Sequence, residues 1–326
     1  GAGPRHSFLP AQFAQGGRVV NLKFLPSGDR FVAVLSGGAC SVWCARSGRP
    51  LATLRDGHDF GAVVFDTDVF PDGERLVTLA SDAVAVIWNI STGEALSRVR
   101  LHHVAQQRAV RVLQPGDRII TGVSRLRQDP VAIWSVATGE SLGVLEHTVE
   151  GDVVLLEMSP CGTKLVTVLH ARGSAYIFVW NALNLRLEVQ MARRDQQVAG
   201  VALSPGGARL AIAYWAFGVE VVGLRGELPW RAAAPGGVMR LLSPTQRLAT
   251  LQVSGGVVRD LRSGRQLATL EGSEGFVRMA ASPLGDVLAA CGRRRAAVWD
   301  AATGRRWAIL GDGRGQMGGR MCVVAV

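Results

Sequence analysis

Residues 84–93 read Val-Ala-Val-Ile-Trp-Asn-Ile-Ser-Thr-Gly, an apolar segment that ends at Trp88 and is followed by a turn at Gly93. Val84, Val86 and Trp88 are spaced two apart, so they share one face of an extended strand. The same Trp-x4-Gly spacing recurs at Trp43, Trp134 and Trp299. A short β-rich unit is therefore repeated along the chain.

A second marker repeats with the same period. A proline follows the first apolar segment of each unit, at Pro26, Pro71, Pro115, Pro160, Pro205, Pro244 and Pro283. These prolines predict seven units, and each unit must stack on its neighbours because it cannot bury its apolar faces alone. Trp180 belongs to the same tryptophan series. In the fifth and sixth units we align Val221 and Arg259 with this tryptophan.

Each unit is predicted to contain four short strands. In the first unit we place them at Val19 to Leu25, Phe31 to Leu35, Cys40 to Ala45 and Leu51 to Arg55. Gly, Pro, Ser and Asp bound these segments, as is typical of antiparallel strands, and no comparable stretch shows helical periodicity. The sequence predicts an all-β fold, a seven-bladed β-propeller of four-stranded antiparallel sheets. The approximate blades are 18–59, 60–103, 104–148, 149–194, 195–236, 237–275 and 276–310.

These features resemble the WD-repeat family of β-propellers over roughly residues 18–310. The family's Trp-Asp pair occurs at Trp299-Asp300, and its Gly-His pair at Gly57-His58. The resemblance implies a buried tetrad of His, Ser or Thr, Trp and Asp in each blade, which we find only in part, through His58, Asp82 and Trp88. Blade stability should therefore depend more on packing. The tryptophans expected between successive sheets are Trp43, Trp88, Trp134, Trp180 and Trp299.

Two segments fall outside the seven units. Residues 1–17 form an N-terminal extension, in which residues 7–13 are placed as an extra strand, and residues 311–326 combine a Gly-rich connector with a strand pattern at 321–326. One interpretation is that these segments pair with the ring edges and close the ring. The other, which we favour, is that the chain was cut from a longer protein with further repeats.

Composition limits the class of protein. The 326 residues carry a net charge of +10, nearly all from arginine, since Lys23 and Lys164 are the only lysines. The five cysteines lack paired metal-ligand spacing, so we expect reduced, mostly buried thiols in an intracellular, cytoplasmic protein. No apolar run reaches the roughly 18 residues of a membrane-spanning helix, and we predict no membrane association.

The sequence shows no motif that predicts catalysis, a cofactor or a metal. A Gly-x-Gly-x-x-Gly pattern occupies residues 313–318, but a strand pattern rather than a helix follows it, which argues against a dinucleotide site. His147 lies near Glu146 and Glu150, and we interpret this group as loop polarity rather than a metal site. We therefore expect no enzyme activity, no cofactor and no bound metal.

The candidate partner-binding residues lie in loops. In WD-type blades, which this chain resembles, the turns between the second and third strands and the connections between blades lie on one side of the ring, the loop face. Three aromatic residues of the fifth unit are candidate anchors there: Tyr214, Trp215 and Phe217. The cations expected to favour acidic partners are Arg172, Arg193, Arg194, Arg293, Arg294 and Arg295. The alternatives are that the aromatic rings cap the blade interior and that the arginines form a solvated edge.

Three functions are consistent with the sequence. The first is a non-catalytic scaffold that binds peptides or partner proteins at the loop face. The second is a ligand-sensing or autoinhibitory module cut from a signalling NTPase of the STAND or NACHT type, which the incomplete unit at the C-terminus suggests. The third, which we favour least, is nucleic-acid binding, suggested by the positive charge; aromatic residues that stack on bases do not alternate with the arginines along the chain.

Overall fold

The computed structural model describes residues 19–35, 40–44, 50–54, 57–59, 61–101, 107–123, 131–216, 218–226, 229–232, 238–242, 244–252, 255–282, 284–292 and 296–310. Within these ranges the chain forms seven four-stranded antiparallel sheets and no helix. The sheets are arranged as a seven-bladed β-propeller, which confirms the predicted fold class. The predicted terminal segments, residues 1–17 and 311–326, lie outside the described residues.

The first four blades contain strands of four to eight residues. Blade 1 consists of β1 (Val19–Phe24), β2 (Arg30–Leu35), β3 (Cys40–Cys44) and β4 (Pro50–Leu54). Blade 2 consists of β5 (Val64–Val69), β6 (Arg75–Ala80), β7 (Val84–Asn89) and β8 (Ala95–Arg100). Blade 3 consists of β9 (Gln107–Leu113), β10 (Arg118–Val123), β11 (Val131–Ser135) and β12 (Ser141–Val144). Blade 4 consists of β13 (Asp152–Met158), β14 (Lys164–Ala171), β15 (Ser174–Asn181) and β16 (Leu187–Arg193).

The last three blades repeat this order. Blade 5 consists of β17 (Val198–Leu203), β18 (Arg209–Tyr214), β19 (Gly218–Gly223) and β20 (Trp230–Ala232). Blade 6 consists of β21 (Val238–Leu242), β22 (Arg247–Gln252), β23 (Gly255–Asp260) and β24 (Gln266–Leu270). Blade 7 consists of β25 (Phe276–Ala281), β26 (Val287–Gly292), β27 (Ala296–Asp300) and β28 (Arg306–Leu310).

Each blade is a meander in which consecutive strands pair. The first turn is tight: in blade 2 the Gly73 N–H donates to the Phe70 carbonyl at 2.9 Å, and Gly73 has a φ of 70°. Because the strands alternate in direction, the first and third turns of every blade lie at one end, which we call the turn face. The second turn and the connection to the next blade lie at the other end, the loop face.

Apolar clusters fill the junctions between successive blades. Trp88 is 2% exposed and packs in a cluster with residues of blade 1 such as Leu54. Trp134 packs in the same way with blade 2, Trp180 with blade 3 and Trp299 with blade 6. Burying one such side chain contributes about 2 kcal/mol relative to leaving it exposed. The tryptophans therefore lie between successive sheets, as predicted, and Trp43 is likewise buried.

The register corrects one alignment in the degenerate fifth blade. Leu76 is the cross-strand partner of Trp88 in blade 2, and the equivalent Leu210 of blade 5 is paired with Val222. Val222 also packs against blade 4, whereas Val221 packs against blade 6. Val222 is therefore the residue at the tryptophan position, and the prediction of Val221 was wrong by one residue because the following turn is one residue shorter.

Blade 2 contains a continuous hydrogen-bond chain through a threonine that the sequence analysis missed. The Trp88 indole N–H donates to Thr78 Oγ1 at 2.7 Å, and Thr78 Oγ1 lies 2.7 Å from His58 Nε2. On its other side, His58 Nδ1 lies 3.0 Å from an Asp82 carboxylate oxygen. Only one proton arrangement satisfies every group: Thr78 donates to Nε2 and Nδ1–H donates to Asp82. The predicted partial tetrad is therefore complete in this blade.

Blade 4 uses the same design with a different last acceptor. The Trp180 N–H donates to Thr167 Oγ1 at 3.0 Å, and this hydroxyl lies 2.9 Å from His147 Nε2. His147 Nδ1 lies 2.9 Å from the Leu145 carbonyl, and its ring packs edge-on against Phe178. The interpretation of His147 as loop polarity was wrong, because this ring braces the blade. Burial lowers the pKa of His147 to about 4, so the ring is neutral.

Ion pairs join the innermost strands of blades 1 to 4. Lys23 of blade 1 pairs with Asp68 of blade 2. Arg111 of blade 3 bonds to Asp66 of blade 2 at 2.5 Å and to Glu157 of blade 4 at 3.0 Å. Although burial by itself lowers the pKa of Arg111, the carboxylates of Asp66 and Glu157 outweigh it and raise this pKa well above its usual value. These pairs fix the relative position of four consecutive blades.

Candidate partner-binding site

The predicted partner-binding residues that the structure describes meet where blades 4 and 5 adjoin on the loop face. Arg172 lies in the β14–β15 turn, Arg193 ends β16, and Arg194 begins the connection to blade 5. Tyr214 ends β18, and Trp215 lies in the turn that follows it. Phe217, Arg293, Arg294 and Arg295 lie outside the described residues, so their predicted roles remain predictions.

Trp215 presents its side chain to solvent from a fixed backbone. It is 61% exposed, whereas the blade tryptophans are buried. Its backbone N–H donates to the Gln197 carbonyl at 3.1 Å, which ties the turn to the connection between blades 4 and 5. An aromatic residue held in this way can bury a large apolar area against a partner without first losing backbone freedom.

Tyr214 was predicted as a surface anchor, but it is only 4% exposed. Its hydroxyl donates to Glu220 Oε2 at 2.6 Å, and its ring packs in the apolar cluster between blades 4 and 5. Burial raises the pKa of Tyr214, and the bond to Glu220 raises it further, so the hydroxyl stays protonated. The alternative interpretation, in which an aromatic ring caps the blade interior, is therefore correct for this residue.

Arg193 was predicted as a cation for acidic partners, but its guanidinium is already engaged. Its Nε–H is shared between the Tyr214 hydroxyl and Glu220 Oε2, each at 3.0 Å. Arg231 donates to the other carboxylate oxygen of Glu220 at 3.1 Å. Glu220 is 3% exposed; burial tends to raise its pKa, but the bonds from Tyr214 and Arg193 outweigh burial and lower it. A carboxylate buried to this extent requires such partners to remain charged.

This cluster occupies a blade that lacks the tryptophan and threonine found in blades 2, 3 and 4. Ile212 stands at the position of Thr78, and Val222 at the position of Trp88, so neither side chain can form the hydrogen bond seen in blade 2. Glu220 is the cross-strand partner of Ile212 and faces blade 4 together with Val222. Tyr214, Arg193 and Glu220 thus provide the polar bracing of this blade by another route.

Arg172 and Arg194 remain exposed on the loop face. Arg172 adopts a left-handed φ of 49° and is followed by Gly173 at 79°, which makes a tight turn. Beside this turn is a shallow depression of about 140 Å³, whose lining includes His170, Arg172 and Gln197. Because the Gln197 carbonyl also accepts the bond from the Trp215 N–H, the depression lies close to the backbone of Trp215.

His170 contributes a neutral acceptor to this depression. Its Nε2 accepts a hydrogen bond from the Val198 N–H at 3.2 Å, and burial lowers its pKa although Asp152 opposes that shift. Within the described ranges, no group of three or more His, Cys, Asp or Glu side chains could hold a metal ion. The chemistry of this region is therefore that of recognition by one large aromatic ring, two exposed guanidinium groups and neutral polar groups.

The described cysteines differ from one another in burial. Cys40 is buried, and burial raises the pKa of its thiol to about 12. Cys161 is exposed and free, so the expectation of mostly buried thiols does not hold for this residue. Its pKa is lowered because hydrogen bonds from Ser159 and Thr163 outweigh the effect of burial. In the part of the chain that is described, no helix is long and apolar enough to cross a membrane.

Comparison with known proteins supports the fold alone. No protein-family model and no curated protein matches this chain. Among solved structures, it is similar to the computationally designed Ika8 protein, with a TM-score of 0.71 and 19% sequence identity over 92% of this chain and 89% of the other. At 19% sequence identity, this structural similarity shows a shared fold and nothing about function. The chain is a seven-bladed β-propeller.

Proposed function

We propose that this protein is a non-catalytic interaction scaffold that binds a peptide or partner protein on the loop face between blades 4 and 5. The observation that carries this proposal is the exposed Trp215, held by its backbone at the junction of blades 4 and 5, where Arg172 and Arg194 are also exposed. Large aromatic residues on a rigid platform are the commonest energetic centres of protein interfaces. Loops presented by a rigid ring suit recognition better than bond-making.

The chemistry of the partner follows from the exposed side chains of this site, one indole and two guanidinium groups. An apolar side chain of the partner packs on the Trp215 indole, and an acidic group lies near Arg172 or Arg194. Tyr214 and Arg193 do not touch the partner in this proposal; they hold the end of β18, from which Trp215 projects. The predicted set of contact residues is therefore reduced, within the described chain, to Trp215, Arg172 and Arg194.

We also propose that the chain is a propeller of the WD-repeat type. The hydrogen-bond chain from Trp88 through Thr78 and His58 to Asp82 supports this assignment. It reproduces, with four side chains in order, the tetrad that the sequence resemblance implies. Blade 4 retains three of its four elements, with the Leu145 carbonyl in place of the aspartate.

The experiment begins with selection of peptides from a phage-displayed library of random 12-residue sequences on the intact protein. The affinities of the selected peptides are then measured for the wild type, Trp215→Ala and the control Trp307→Ala, which removes an exposed indole from blade 7. We expect Trp215→Ala to weaken binding by about 30-fold, equivalent to about 2 kcal/mol. Trp307→Ala should change the affinity less than about threefold.

The charged part of the site is tested with Arg172→Glu and Arg194→Glu. Selected peptides should be enriched in Asp and Glu and should lose up to about fivefold in affinity with each variant, since an exposed ion pair contributes about 1 kcal/mol or less. The proposal is wrong if the selected peptides bind Trp215→Ala as well as they bind the wild type. It is equally wrong if Trp307→Ala has the larger effect.

A further inference from the structure

The turn face, opposite Trp215, carries an uneven charge. On blades 2 and 3 its acidic residues are Asp72, Glu74, Glu94, Asp117 and Glu140. The two arginines in these turns lie beside carboxylates: Arg75 Nε is 2.6 Å from Asp72, and Arg118 Nε is 3.4 Å from Asp117. This side of the turn face is therefore acidic, and its cations are balanced locally.

Blades 5 and 6 show the opposite charge on the same face. Their turns and adjoining strand ends carry a set that we call the basic turn sector: Arg209, Arg225, Arg247, Arg259, Arg262 and Arg265. Among the described residues of these turns, Asp260 is the one acidic side chain; Glu227 lies outside the described residues. The sector therefore has an excess of positive charge almost diametrically opposite the acidic blades.

Asp260 offsets only one of the six positive charges of the sector, and its carboxylate is held by the turn itself. It accepts hydrogen bonds from the Ser263 N–H and hydroxyl, both at 2.7 Å, and from the Arg262 N–H at 3.1 Å. The bonds from Ser263 are the main reason that the pKa of Asp260 is lowered. The side chains of Arg225, Arg262 and Arg265 are exposed to solvent, and Arg225 acts on Glu188 of blade 4 rather than on Asp260.

The aromatic ring that contacts this turn, that of Trp230, is already engaged. Trp230 packs on Gly264, where an added Cβ atom would lie 2.6 Å from indole Cδ2. The Trp230 N–H donates to the Leu261 carbonyl at 3.0 Å. The ring therefore serves as a packing residue between blades 5 and 6. This arrangement favours a polypeptide over a single-stranded nucleic acid, which gains much of its affinity from bases stacked on free aromatic rings.

We propose that the basic turn sector is a second docking surface, which binds an acidic segment of a protein partner independently of Trp215. Planar guanidinium groups fit carboxylates as bidentate partners, and several of them on one face attract an acidic chain before contact. With one surface on each face of the ring, the protein would hold two partners on opposite sides. The inference goes beyond the loop-face site and does not depend on it.

The test uses the intact protein and a fluorescein-labelled peptide of 12 glutamates. Binding is measured by fluorescence anisotropy for the wild type and for Arg262→Glu/Arg265→Glu. The matched control, Arg172→Glu/Arg194→Glu, makes the same change in net charge on the opposite face. We expect the first double variant to weaken binding by about tenfold and the control by less than about threefold, because a peptide made of glutamates has no apolar side chain to pack on Trp215 and so gains little from the loop face. Trp215→Ala should leave the affinity for this peptide unchanged, which separates the result from that of the loop face.

Three results of the peptide measurements would overturn the proposal. Equal losses in the two double variants would show attraction by net charge alone and would overturn the proposal. A loss restricted to Arg172→Glu/Arg194→Glu, or absence of binding to the wild type, would also overturn it. A dT20 oligonucleotide and phosphatidylcholine vesicles with 30% phosphatidylserine serve as competing probes. If either depends on Arg262 and Arg265 while the glutamate peptide does not, the partner is not an acidic polypeptide and the inference is wrong.

Discussion

The Nε–H of Arg193 donates to the carboxylate of Glu220 at 3.0 Å across the boundary between blades 4 and 5. Arg193 ends the outermost strand of one blade, and Glu220 lies in the third strand of the next. The Tyr214 hydroxyl donates to the same carboxylate oxygen and Arg231 to the other one, so three side chains from two blades converge on one buried charge. The turn that carries Trp215 begins directly after Tyr214, which makes this ion pair a support for the proposed binding site.

Arg193→Met should destabilise the protein by about 2 kcal/mol, because it leaves the Glu220 carboxylate buried without one of its two arginines. The loss is smaller than for an isolated buried pair, since Arg231 still donates to Glu220. The measurement is urea unfolding followed by tryptophan fluorescence. Arg194→Met, one residue further and exposed, is the control and should change the free energy of unfolding by less than about 0.5 kcal/mol. Equal effects of the two variants would contradict a structural role for the ion pair.

Much of the fold could be predicted from the sequence because two markers, proline and tryptophan, occur at fixed places in each repeat. The four strands predicted for the first unit agree with β1 to β4 to within one residue at each end. The tryptophans were placed correctly between sheets because a large apolar side chain at a repeated strand position must face a neighbouring repeat. The prediction failed by one residue at Val221, where a turn is shortened.

The candidate site was predicted less well, because whether its side chains are exposed depends on contacts between residues that are distant in sequence. Tyr214 and Arg193 were taken as exposed since both lie next to loops, but both are bonded to Glu220. The sequence did contain a signal: Glu220 interrupts the apolar run of β19, and a charge at a buried strand position requires partners. A polar residue repeated within the apolar second strand is a similar signal. It identifies Thr78, Thr121 and Thr167, which stand at the same strand position in three successive blades.

Thr78→Val should destabilise the protein by about 2 kcal/mol, because it removes the hydroxyl between Trp88 and His58 and leaves a buried indole N–H without an acceptor. Thermal or chemical unfolding would measure the effect. The chain offers a matched control in Thr250, which occupies the same register position in blade 6 and is 2% exposed. Its hydroxyl has no hydrogen-bond partner among the described residues.

Thr250→Val should therefore be neutral or stabilising, since it replaces an unsatisfied hydroxyl with a methyl group of similar shape. The difference between the two substitutions isolates the hydrogen bonds, because the burial and the volume change are matched. If both substitutions cost the same free energy, the chain from Trp88 to His58 contributes nothing beyond packing.

Gly57→Ala should be among the more destabilising single substitutions. A Cβ atom at Gly57 would lie 2.2 Å from Cη2 of the buried Trp88 ring, which has no free space in which to move. We expect a loss of about 2 to 3 kcal/mol from overpacking. Gly200→Ala is the control, since nothing lies within 4 Å of its added Cβ. Near-identical unfolding midpoints for the two variants would show that the Trp88 ring is less constrained than its burial indicates.

His147 should make the stability depend on pH in the weakly acidic range. Burial lowers its pKa to about 4 in the folded protein from 6.5, so the unfolded chain binds more protons between these values. The stabilisation that depends on neutral His147 is therefore complete above pH 6.5. As the pH drops from 6.5 to about 4, the free energy of unfolding falls by up to about 3 kcal/mol. Chemical unfolding at pH 7.5 and 5.0 measures the change. His147→Gln should lower stability at pH 7.5 but reduce the dependence on pH, whereas an unchanged dependence would show that His147 does not titrate in this way.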